Sequence, residues 1–276
     1  MEKMEKIFEQ EYLSATIKNN FIFSKVMETE HEICRELLEM ILKVKIAKIS
    51  FPEREKVIEL RTDSKSVRLD VYVEGNNNRS FDIEMQVSNS DNLSKRMRYY
   101  QSLIDGDKLK HGQHYSELGE SYIIFICPFD RFKQGRHIYT FREFCVEDKN
   151  VELKDGATKI FLSTKGTMND VSNGVKNFLN YVEDGTIKGK FVKKLDEAVQ
   201  IVKTNQKVRK EFMTYQMALL ESEMKGANKK ALEIVKNLLF ANTPLKYIVA
   251  ATGWSEEKIL KIKQEIFKDE GKNNDV

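Results

Sequence analysis

The chain has 276 residues, 41% of them hydrophobic and 32% charged, enough to bury a core in one large domain or in one domain plus a smaller one. Its 46 basic and 43 acidic residues leave a formal charge of +3; net charge neither demands nor excludes nucleic acid, and any such surface must come from local clustering. No apolar run approaches the ~20 residues that span a bilayer, and the first dozen residues are charged and lack the apolar core of a signal peptide, so no membrane role is expected. Cys34, Cys127 and Cys145 are widely spaced, without zinc-ligand spacing. Cys34 and Cys127 lie in apolar runs, which predicts buried free thiols and a reducing, cytoplasmic compartment.

Apolar residues recur at helical spacing from Phe21 to Val44, with a break near Pro52. Val57 to Leu60 reads as a short strand. Val67–Val73 and Phe81–Val87 both alternate polar and apolar residues around a turn-rich Gly75-Asn-Asn-Asn78, the pattern of a β-hairpin. Ser94–Gly106 returns to helical spacing. Ser121–Cys127 is a continuous apolar run stopped by Pro128, which suits a strand at the centre of a sheet. Strands are expected at 136–141 and 159–163, and a covering helix at 171–182. From about Phe191 the chain is Lys- and Glu-rich and reads as all helix, with an interruption at Gly226 and short helices at 229–241, 244–251 and 255–267. The segment 269–276 has no pattern and reads as a disordered tail. The expected organisation is an α/β domain over 1–185, a helical region over 186–268, and that tail.

Side chains alternate faces along a strand. Asp70 and Tyr72 share one face; Asp82, Glu84 and Gln86 share one face of the next strand. With the loop centred on Asn77, Glu74 pairs with Ser80, Asp70 sits opposite Glu84, and Gln86 opposite Arg68. Two carboxylates set about 4.5–5.5 Å apart at Cβ repel unless something positive lies between them. A divalent cation is one answer, Arg68 or Arg79 another, and a solvated acidic surface is the commonest outcome for such residues.

The surrounding blocks point further. Arg68-Leu-Asp-Val71 followed by Phe81-Asp-Ile-Glu-Met-Gln86 resembles the nuclease core of the Rpn-like recombination-promoting nuclease/transposase family, within the PD-(D/E)XK nuclease superfamily. Arg96–Tyr100, Gly112–Leu118, Pro128–Phe132, His137–Phe141 and Lys159–Gly166 are similar in the same order, over roughly residues 18–185. The resemblance implies a restriction-endonuclease-like α/β fold, a mixed central sheet flanked by helices, followed by an all-helical C-terminal region. It implies a Mg²⁺-dependent DNA endonuclease, with Mn²⁺ as a substitute ion, that hydrolyses phosphodiester bonds of double-stranded DNA in recombination or mobile-element processes. Asp70 and Glu84 correspond to the metal-binding acids, the Met85 backbone carbonyl to an added ligand, and Gln86 to the position where many members carry lysine. Gln86 can orient water or phosphate but carries no charge; Lys95 or Arg96 is placed to supply it. For the superfamily's helix-borne acid the candidates are Glu36 and, after it, Glu39. Lys95, Arg96, Arg98 and Tyr99 form the basic-aromatic cluster expected to contact DNA phosphates. His111 and His114 read as structural or exposed polar residues. The C-terminal turn at Thr252-Gly-Trp-Ser255 resembles a helix-turn-helix, and is equally open to a packing or homodimerisation role. The alternative function is an inactive DNA-binding or assembly protein that keeps the nuclease fold.

Overall fold

The computed structural model describes residues 2–50, 52–58 and 67–273, which fall into two compact units dividing after Arg209. The first unit opens with three helices, α1 (Glu2–Ser14), α2 (Asn20–Thr29) and α3 (His31–Leu42). The helical spacing from Phe21 onward is thus cut in two. Asn19 starts α2, its side-chain oxygen accepting from the Phe21 N–H at 3.0 Å and the Ile22 N–H at 3.3 Å. Glu30 leaves helical geometry at φ −115°, ψ 74° and separates α2 from α3. Left-handed Lys43 ends α3. The α1 helix was not foreseen from the sequence.

Among the described residues six strands follow: β1 (Glu53–Ile58), β2 (Val67–Glu74), β3 (Ser80–Met85), β4 (Ser121–Cys127), β5 (Ile138–Phe141) and β6 (Ala157–Ser163). Of the strand expected at Val57–Leu60, the last two residues lie outside the described residues. The strands form one mixed sheet in the order β1-β2-β3-β4-β6-β5. The β3, β4 and β6 strands are parallel, and the other pairings are antiparallel. Asn77 and Asn78 turn the β2–β3 hairpin with φ of 60° and 58°, a conformation asparagine tolerates better than most residues. The β4 strand is internal, as its unbroken apolar run predicts.

The parallel step from β3 to β4 needs a crossover, and α4 (Leu93–Lys108) supplies it. Leu93, Met97, Tyr100, Leu103 and Ile104 of α4 pack with Tyr72, Ile123, Phe125 and Phe161 of the sheet. Phe125 is fully buried, with Tyr100 and Phe161 edge-on to its ring. Phe125→Ala is expected to cost about 3–5 kcal/mol, measurable by urea denaturation. The α2 helix packs against β1, β2 and β3. Two further helices, α5 (Asn173–Asp184) and α6 (Lys190–Thr204), complete the unit.

The boundary expected at 185 therefore differs from the observed division. The Lys- and Glu-rich composition of α6 masks an apolar stripe, Phe191, Val192, Leu195, Ala198, Val199 and Val202, that is buried, and α6 packs on α2, α3 and α5. Cys34 and Cys127 are buried free thiols, and Cys145 is partly exposed. Among the described residues no helix is long and apolar enough to cross a membrane.

The second unit contains most of α7 (Gln206–Phe240), then α8 (Leu245–Thr252) and α9 (Glu256–Asn273). Val235, Leu239, Ile248 and Ile259 form its core, with Trp254 packed against them, the anchoring role its place at a turn suggests. Gly226 does not interrupt α7. A mid-helix glycine costs only about 1 kcal/mol, and good helix formers surround it. A Cβ there meets nothing within 4 Å, so Gly226→Ala is expected to stabilise this unit by about 0.5–1 kcal/mol, read by chemical denaturation. The α9 helix also continues to Asn273, shortening the expected tail; residues 274–276 lie outside the described residues.

Candidate active site

The hairpin pairs as its alternation predicts: Glu74 faces Ser80, Tyr72 faces Asp82, and Val71 faces Ile83. One step on, Asp70 meets Glu84, and there side chains replace carbonyls in the ladder. Glu84 Oε1 accepts from the Asp70 N–H at 3.0 Å, and Asp70 Oδ2 accepts from the Met85 N–H at 3.3 Å. Each carboxylate is anchored on the other's strand. The N–H and C=O of a strand residue point to the same neighbour, so the Met85 carbonyl also faces β2.

The acidic face of this hairpin is not solvated. Asp82 is 0% exposed, Glu84 1% and Gln86 7%, because α4 lies over this side of the sheet. Burial pushes the Asp70 carboxyl from 3.8 up to about 6, against the Met85 N–H and the charges of Arg68 and Arg96, which pull it down. Burial, then the charge of Asp70, holds Glu84 well above the usual carboxylate range. Burial, then Glu84 and Asp70, does the same to Asp82. Perturbed carboxyls of this kind concentrate at functional sites.

Arg96 is the cation that meets this charge. Its Nη1 donates to Gln86 Oε1 at 3.0 Å, its Nη2 donates to the Tyr100 hydroxyl at 2.7 Å, and Nη2 lies 3.5 Å from Glu84 Oε2. Gln86 Nε2 donates to the same Glu84 oxygen at 2.8 Å. Arg96 is reached from α4 because Arg96 and Tyr100 are one turn apart on it, and its side chain remains 36% exposed. Arg79 instead pairs with Glu120 at 2.7 Å, and Arg68 lies 4.0 Å from Glu55.

The basic cluster expected on α4 therefore divides. Arg96 turns into the site, Lys95 and Arg98 are exposed, and Tyr99 packs against the α4 core. Glu36 does not join the hairpin: it pairs with Lys194 of α6 at 2.9 Å, and Glu39 is held by Arg35 and by the Ile46 N–H. The α3 helix sits over α5 and α6. His114 caps the short 3-10 turn Tyr115–Glu117, a structural role.

Two acidic residues were not singled out as site residues from the sequence. Asp82 shares the face of Glu84, a signal present in the alternation. Glu55 lies between the pairs Arg54↔Val71 and Lys56↔Leu69, beside Asp70, whose carboxyl its charge raises further. It holds a left-handed φ of 57°, a costly conformation for a non-glycine residue that recurs at functional sites.

The donor set fits a hard divalent cation. Asp70, Asp82 and Glu84 bring three carboxyls against two cations, Arg96 and Arg68, and both oxygens of Asp82 lack a hydrogen-bond partner among the described residues. Among those residues no three acidic, His or Cys side chains converge closely enough to ligate one ion. Mg²⁺ asks for less, since one or two carboxylates with water and phosphate suffice.

A mixed sheet flanked by helices, with paired acids on the hairpin beside a βαβ crossover and a helical C-terminal region, is a restriction-endonuclease-like α/β fold. The chain belongs to the PD-(D/E)XK nuclease family transposases, whose family model matches residues 17–237. No curated protein and no solved structure matches the chain.

Proposed function

We propose that this protein is a divalent-metal-dependent DNA endonuclease that cuts duplex DNA in recombination or mobile-element processes, with Mg²⁺ as its ion and Mn²⁺ as a substitute. The observation that supports this most is the reciprocally anchored pair of half-buried Asp70 and buried Glu84, in a chain of a nuclease family. Asp70, Glu84 and the Met85 carbonyl would hold the ion. When bound, such an ion neutralises the scissile phosphate and lowers the pKa of a coordinated water.

The remaining groups act on the substrate. Arg96 supplies the positive charge that Gln86 lacks, and its half-buried side chain, held by Gln86 and Tyr100, would offer that charge to a phosphate at the site. Gln86, held between Glu84 and Arg96, fixes the orientation of both. Lys95 and Arg98 on α4 contact the DNA backbone, which positions the duplex without reading sequence. Tyr99 lines the same helix. A cytoplasmic location and a homodimer built through the helical second unit belong to the same proposal.

The test is nicking of supercoiled plasmid by the purified full chain, with and without Mg²⁺, against Asp70→Ala. Mg²⁺-dependent nicking by the wild type and none by the variant is the expected result. A folded wild type inert with Mg²⁺ and Mn²⁺, yet retaining DNA, contradicts it and favours the non-catalytic alternative. DNA binding gives a second readout. Lys95→Ala with Arg98→Ala is expected to weaken binding alike on all sequences and to flatten the log–log salt slope by about 0.9 per lost contact.

A further inference from the structure

Asp82 stands two residues before Glu84 on β3 and is fully buried. Its neighbours on that face of the strand are engaged. The Ser80 hydroxyl shares a hydrogen bond with the Tyr72 hydroxyl at 3.2 Å, and Glu84 and Gln86 are bonded to each other and to Arg96. Neither oxygen of Asp82 has a partner among the described residues. Gln101 on α4, whose amide donates to Ser121, leaves its own Oε1 unpartnered and buried as well. Ser121 pairs with Ser80, the residue two before Asp82 on β3. The buried unpartnered atoms of this face are therefore acceptors, and what the face lacks is a donor. Leaving a buried acceptor unpaired costs about 1–3 kcal/mol, and more when it is charged. The donors facing Asp82 are spent elsewhere: the Tyr72 hydroxyl across β2 is shared with Glu74 and Ser80, Arg96 donates to Gln86 and Tyr100, and Ile123 across β4 has none to give, while Glu84 and Asp70 add only negative charge.

A hydrated cation supplies donors. We propose that Asp82 is the inner carboxylate of the cation site and accepts hydrogen bonds from water carried by a divalent ion at Asp70 and Glu84. This rests on the metal-binding reading of those two residues. Asp82 acts through water and not as a direct ligand, because no three such side chains converge on one point among the described residues. Residues two apart on a strand stand about 6.6 Å apart along it, a span longer than a metal–oxygen bond of about 2.0–2.1 Å and one that a coordinated water would bridge. Groups that hold a metal's ligands in this way typically change affinity by about 10- to 100-fold when removed.

The experiment is a Mn²⁺ titration of the full chain, with free Mn²⁺ read by electron paramagnetic resonance, for the wild type, Asp82→Asn, Asp82→Leu and Glu84→Gln. Thermal unfolding without metal accompanies it. Asp82→Leu is expected to weaken Mn²⁺ about 10- to 100-fold, and Asp82→Asn, which keeps one neutral acceptor, to fall between it and the wild type. Both are expected to unfold at or above the wild-type temperature without metal, since a buried carboxyl with neither oxygen partnered is gone. Wild-type affinity in Asp82→Asn and Asp82→Leu, with binding lost in Glu84→Gln, overturns the inference and leaves the Asp70–Glu84 site standing. A wild type that takes up no Mn²⁺ overturns both. If Asp82→Leu does not fold, Asp82→Asn decides alone, and unchanged affinity there overturns the inference.

Discussion

Glu84→Gln is expected to abolish plasmid nicking while raising the melting temperature of the metal-free protein. The two effects have one cause. Glu84 is 1% exposed and lies beside Asp70, so its charge costs more than Arg96, 3.5 Å from its Oε2, offsets. Glutamine keeps an oxygen to accept the Asp70 N–H and removes the charge, at the cost of the hydrogen bond that Oε2 accepts from Gln86 Nε2. The fold should therefore gain, and each 1 kcal/mol is worth about 2–4 °C in a chain of this size. The ion's stabilisation of the transition state, several kcal/mol, is lost with its ligand, and at 1.36 kcal/mol per decade that is on the order of 1000-fold in rate. Nicking assays and thermal denaturation in EDTA check the pair. Activity within about tenfold of wild type, or a lower melting temperature, would show that Glu84 serves the fold and not a cation.

The second large effect is on pH. Without metal, stability is expected to fall as pH rises from about 5 to neutrality. Asp70 has a folded-state pKa of about 6 against an ordinary 3.8, so between those values the folded state binds more protons than the unfolded one, and stability declines with pH. Its contribution is full below 3.8 and lost as pH passes through about 6. A carboxyl moved that far is worth on the order of 3 kcal/mol. Glu84 and Asp82 are raised further and extend the decline to higher pH. Carboxylates held low by partners, such as Glu183 beside Lys165 and Thr164, act oppositely: their stabilisation is present above the ordinary carboxylate pKa and lost in acid. The metal-free curve should thus peak on the acid side of neutrality. Saturating Mg²⁺ is expected to remove the decline, because ligands bind deprotonated. Thermal scans from about pH 4 to 8, in EDTA and in Mg²⁺, measure this; a metal-free curve rising from 5 to 7.5 contradicts the assignment of these carboxyls.

Much of the site's frame is legible in the residues. The period-two alternation of Val67–Val73 and Phe81–Val87 sets the hairpin register, and the Asn-rich turn fixes its centre, so the facing of Asp70 and Glu84 follows from local pattern. The apolar run Ser121–Cys127 likewise places β4 inside the sheet. Burial does not follow. Spacing alone leaves Asp82 and Glu84 open to a solvated face, because alternation says which residues share a face and nothing about what covers it. That cover is α4, and only its docking turns Arg96 onto Gln86 and Glu84 while leaving Lys95 and Arg98 outside. Glu55 reaches Asp70 through the β1–β2 pairing, which no local pattern announces. Glu36, on a plainly amphipathic helix, is drawn to Lys194, 158 residues along the chain. Helix packing decides that pairing, and spacing along the sequence carries no trace of it.

Asp70 and Glu84 are expected to share one divalent ion. A Mn²⁺-soaked crystal with anomalous data tests it most directly. One anomalous peak is expected in contact with an oxygen of each carboxylate and with the Met85 carbonyl, with Arg96 turned away from Glu84. No peak at the hairpin, with Arg96 still 3.5 Å from Glu84, would contradict it.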